Sequence, residues 1–79
     1  MFRIQWQDYV SIDPEIHHGE PCLKGTRIPV AMIVGSIADG MTTEELVKEY
    51  PQVTVEAVRA ALAYAADVVR QEILLPYSG

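Results

Sequence analysis

From Pro29 onward, apolar side chains recur at helical spacing. Val30, Ile33, Val34 and Ile37 stand at i, i+3, i+4 and i+7, which predicts one amphipathic helix. Pro29 suits the first helical position, and Gly40 suits the position just past the end. A second helix follows at once. Thr42-Thr43-Glu44-Glu45 reads as a capping box, Met41 and Leu46 as its hydrophobic staple, and Leu46, Val47 and Tyr50 as its inner face. Pro51 disfavours helix at Tyr50 and ends it. A third helix opens on Thr54 as N-cap, with a staple from Val53 to Val58. Val55, Val58, Leu62, Ala65, Val69 and Ile73 then form a stripe over about 20 residues, or roughly 30 Å. Ala60, Ala61, Ala63, Ala65 and Ala66 favour helix and allow close approach of a neighbour.

Before Pro29 the pattern is β-like and broken by turns. Tyr9-Val10-Ser11-Ile12 favours a strand, and Asp13-Pro14-Glu15 a turn. Gly19 and Gly25 flank Pro21-Cys22-Leu23, which predicts a short ribbon that must pack on something. The expected fold is therefore mainly α: a β-ribbon or loop segment over 8–29 and a three-helix core over 29–73. The second and third helices, with a joint of roughly three to four residues, make a helix-turn-helix. The whole of 1–79 reads as a single domain.

Composition changes this picture in three ways. The chain has 79 residues, enough for one small domain that buries only roughly 60% of its unfolded surface. A single cysteine leaves no internal disulfide to help, so self-association or docking on a partner is expected. With 6 basic and 11 acidic side chains the net charge is −5, unfavourable for binding nucleic acid alone. No uncharged run approaches the length needed to span a bilayer, and there is no secretory pattern at the start; a reducing cytoplasm is the expected setting.

Candidate chemistry is sparse. Gly25-Thr26-Arg27 offers a fixed loop with a hydroxyl and a guanidinium able to grip a phosphate or carboxylate of a partner. The plainer reading is that Gly25 turns the chain, Thr26 bonds the backbone and Arg27 pairs with Asp13 or Glu15. At the start of the third helix, Thr54, Glu56 and Arg59 occupy the position from which such a motif reads DNA, with Glu56, Arg59, Ala60 and Ala63 expected on the outward face, though Glu56 repels phosphate and only Arg59 is a usual base reader. His17, His18 and Cys22 invite a metal, but neighbouring histidines reach one ion poorly, and they read instead as turn residues beside a small buried thiol. No cofactor, metal or catalytic residue is expected. Asp13, Glu15 and Glu20 read as solvated loop charges, so the chain is not read as an enzyme. Phe2, Trp6, Val69, Ile73, Leu74 and Leu75 are the expected apolar anchors of a homodimer.

Certain segments together resemble a known family. They are Ile12-Asp13-Pro14-Glu15-Ile16, Gly19 to Val30, Gly40-Met41-Thr42, Tyr50-Pro51, and Ala60-Ala61-Leu62-Ala63-Tyr64-Ala65. The resemblance is to the prokaryotic domain-of-unknown-function family 433, which includes VapB-type antitoxins, and it runs from about Val10 to Val69. The chain departs from the pattern at His17-His18. The resemblance implies a homeodomain-like helical core with an N-terminal β-hairpin, and a PIN-like ribonuclease toxin as partner. With only Leu74 to Gly79 after the third helix, toxin contacts are expected on the folded surface or the N-terminal segment. The resulting expectation is an antitoxin-like interaction protein, with autoregulatory DNA binding as an addition. The alternatives are a helix-turn-helix transcriptional regulator and a structural dimerisation module without a toxin.

Overall fold

The computed structural model describes residues 4–15 and 19–74, with side chains as far as Arg70. A 3₁₀ turn at Trp6–Asp8 leads into β1 (Val10–Ser11). β2 (Cys22–Leu23), α1 (Val30–Ala38), α2 (Thr43–Glu49) and α3 (Val55–Leu74) follow. The fold is mainly helical, with a two-stranded antiparallel hairpin near the N-terminus.

The strand pairing differs in detail from the expected ribbon. β1 pairs antiparallel with β2, with Val10 opposite Leu23 and Ser11 opposite Cys22. On its other side Cys22 bridges to Pro29, where Val30 N donates to Pro21 O at 2.9 Å and Leu23 N to Ile28 O at 2.9 Å. β2 is thus bonded on both edges, and the 23–28 turn folds back so that its two ends bond to β2. This matters for so short a strand, because a two-residue ladder alone is marginal.

The helices end where their local chemistry dictates. Pro29 is the N-cap of α1 rather than its first helical residue: its ψ of 142° is extended, and its carbonyl accepts from Met32 N and Ile33 N. Proline's φ is compatible with both positions, and the β2 bridge at Pro29 selects the extended one. Gly40 follows the C-cap at φ +106°, a value that L side chains resist. The capping box of α2 is complete, with Thr42 Oγ1 accepting from Glu45 N and Glu45 Oε1 from Thr42 N. Tyr50 closes α2 in an extended conformation before Pro51. At the start of α3, Thr54 Oγ1 accepts from Ala57 N at 3.0 Å. Residues 50–54 separate α2 from α3, a slightly longer joint than expected.

Val10, Leu23, Val30, Ile33, Leu46, Val53, Ala57, Val58 and Ala61 form one buried cluster that draws on both strands, all three helices and the α2–α3 joint. Half-buried Val34, Ile37, Met41, Tyr50 and Tyr64 pack against it. The expected inner face of α1 is therefore correct, and that of α2 holds at Leu46 and Tyr50. That of α3 is not correct. Val55 is 47% exposed, Leu62 38% and Val69 55%, while Ala57, Val58, Ala60 and Ala61 are buried. The four buried residues 57, 58, 60 and 61 cannot all share a helix face with 55, 62 and 69; at about 100° per residue the centres of the two sets point apart. α3 packs against α1, α2 and the Trp6–Asp8 turn through the alanine-rich face, because small side chains let these elements come close.

Trp6 is engaged within the chain. Its indole Nε1 donates to Asp67 Oδ2 at 2.8 Å, and its ring meets Tyr64 edge-on at 4.7 Å between centroids. Within the protomer the half-buried ring of Trp6, expected as a dimer anchor, clamps the N-terminal turn onto α3. Phe2, His17, His18 and Leu75 lie outside the described residues, as do the side chains of Ile73 and Leu74.

Candidate functional site

The Gly25-Thr26-Arg27 turn is built by the backbone and one hydroxyl. Gly25 has φ +74° with open space around it, so conformation rather than crowding calls for glycine there. Thr26 N donates to Leu23 O, and Thr26 Oγ1 donates to the same carbonyl at 2.8 Å. The hydroxyl also accepts from Ile28 N at 3.0 Å. Its proton is committed and one lone pair is used, which favours the plainer reading of Thr26 as the brace of a tight turn. Arg27 is exposed on this braced turn.

Around the turn lies an open hollow of about 810 Å³. Asp13, Glu15, Gly25, Thr26 and Arg27 line it, together with Ser11 and Gln52. The sequence had separated Arg27 from Asp13 and Glu15 by a dozen residues; the β1–β2 pairing brings them to one rim. Asp13 is itself part of a turn, its Oδ1 accepting from Glu15 N at 2.9 Å. Gln52, from the α2–α3 joint, was not singled out from the sequence. Nothing in its local pattern marks it, since only the packing of helices against the ribbon carries it there.

Cys22 lines the floor of the same hollow and is buried, 5% exposed. Burial pushes its thiol above the ordinary value, and the nearby Glu20 carboxylate pushes in the same direction. A thiol held in its protonated form is a poor nucleophile and metal ligand, which agrees with its reading as a small apolar core residue. Among the described residues no group of three or more His, Cys, Asp or Glu side chains is placed to hold a metal ion.

Thr54, Glu56 and Arg59 stand together, exposed, at the start of α3. Thr54 spends its hydroxyl on the helix cap. Glu56 and Arg59 remain as one negative and one positive side chain beside exposed Val55. Further along the same side, Leu62, Ala66, Val69 and Arg70 are exposed. Among the described residues, no helix is long and apolar enough to cross a membrane.

Comparison with known proteins returns relatives of the same kind. The chain is 34% identical over 59 residues, 75% of its length, to the uncharacterized protein y4eO of Sinorhizobium fredii. It spans only 27% of that protein, about a quarter of its length. Among solved structures, a crystal structure of a DUF433 member protein from Anabaena variabilis superposes with a TM-score of 0.75 at 32% identity. That match covers 82% of this chain and 64% of the other. The profile of the family described as "Protein of unknown function (DUF433)" matches residues 10–65, most of the β-ribbon and helical core, and the chain belongs to that family.

Proposed function

We propose that this chain is a non-enzymatic interaction module of the antitoxin kind, which docks on a PIN-like ribonuclease and blocks it. The observation that carries the reading is the braced turn presenting exposed Arg27 at the rim of an open hollow. A PIN-like nuclease gathers carboxylates around Mg²⁺, and a guanidinium held on a rigid turn is suited to pair with them while its carrier excludes RNA. Pre-organisation by Thr26 lowers the entropy cost of that docking. The net charge of −5, with Asp13 and Glu15 beside the turn, complements a basic, RNA-binding partner.

The test is co-expression of the chain with the product of the adjacent gene, followed by pull-down and an RNase assay. The expected result is a stable complex with suppressed nuclease activity, and a loss of inhibition of at least ~10-fold on Arg27→Ala. If the neighbour is not a nuclease and nothing copurifies, the reading fails. DNA readout by α2 and α3 is the competing reading, supported by the exposed Arg59 at the start of α3. Duplex binding measured at several salt concentrations separates the two: a regulator binds alone, with a salt slope lowered by Arg59→Ala.

A further inference from the structure

Exposed Val55, Leu62 and Val69 are seven residues apart on α3. Seven residues rotate a helix by about 700°, so the three side chains fall almost in line, drifting only ~20° per step. Ala66, also exposed, fills the same strip and adds little bulk. A straight seam of this kind matches another helix better than a flat or curved partner does. Its order is also symmetric: Val55 and Val69 are equidistant from Leu62, so the strip reads Val-Leu-Val in both directions.

Three exposed charges stand on one side of the seam: Glu56 and Arg70, of opposite sign, near its two ends, and Arg59 between them. An antiparallel two-fold pairing centred on Leu62 sets Val55 against the second copy's Val69. It brings Glu56 within about 3 Å of axial register with the second copy's Arg70, twice over. A parallel pairing leaves those groups about 21 Å apart along the axis.

We infer that the occupant of this face is a second copy of the same chain, held by an antiparallel α3–α3 contact with Leu62 on the two-fold axis. The inference stands independently of toxin binding. A seam about 20 Å long is smaller than the ~1,600 Å² interface of a standard stable complex, so the dimer dissociates on dilution.

Sedimentation velocity of the 79-residue chain over a range of concentrations tests this. The expected result is a reversible monomer–dimer equilibrium. Leu62→Glu is expected to raise the dissociation constant about 100-fold or more, with the circular-dichroism spectrum unchanged, because Leu62 lies outside the core. Glu56→Arg is expected to weaken the dimer, and Arg70→Glu in the same chain to restore it. Orientation is read by disulfide trapping: Val55→Cys and Val69→Cys chains crosslink when mixed, and neither with itself. A chain that stays monomeric at every concentration, an unaffected Leu62→Glu variant, or a Val55→Cys chain that crosslinks to itself overturns the inference.

Discussion

The two faces of α3 are made of different residues from those a hydrophobic scale would assign. The inner face is Ala57, Val58, Ala60 and Ala61, with Tyr64 at its end; the outer face carries Val55, Leu62 and Val69. Three larger apolar side chains are turned outward, while the buried face is three alanines around Val58. The difference teaches that packing depends on how closely axes approach, not on how much surface one residue can hide. Alanines let α1, α2 and the Trp6–Asp8 turn close on α3, and Ile33, Leu46 and Val53 fill the space between. The outer valines and leucine are surplus to that core, and they form the face on which the proposed second copy would dock.

Substitutions on either side of α3 sharpen or break this contrast, each read by urea denaturation of the monomer at high dilution. Leu46→Ala, which empties the centre beneath the inner face, is expected to cost about 2–5 kcal/mol. Ala61→Leu overfills that same face and is expected to cost about 1–3 kcal/mol, whereas Ala66→Leu on the outer face is expected to leave stability nearly unchanged. Were Ala61→Leu as mild as Ala66→Leu, the close approach of the elements on α3 would be wrong. Thr54→Ala removes the cap shared by both faces and is expected to cost about 1 kcal/mol. Leu62→Ala, already 38% exposed, is expected to cost under about 0.5 kcal/mol in the monomer. A large loss there would place Leu62 in the protomer's own core.

The turn at Gly25-Thr26-Arg27 offers a smaller version of the same lesson. Its residue types were visible in the sequence, and so were the plainer roles of Gly25, to turn the chain, and Thr26, to bond the backbone; among the described residues the expected pairing of Arg27 with Asp13 or Glu15 is not seen, and the three only share one rim. The gathering of Arg27, Asp13, Glu15 and Gln52 around one hollow was only partly visible, because three separate segments meet there through β1–β2 pairing and helix packing. The contacts of Trp6 within the chain were not visible, since its partners, Tyr64 and Asp67, lie some sixty positions away. No local pattern links residues so distant.

What the chain determines locally is where each element begins and ends. Caps, staples and stops at Gly40, Thr42, Glu45, Pro51 and Thr54 act through backbone groups a few residues away, so short-range rules capture them. Which side of α3 faces inward was decided only by tertiary structure. That helix has apolar residues on both sides, and the choice depends on the distance at which three other elements, folding together, can approach it.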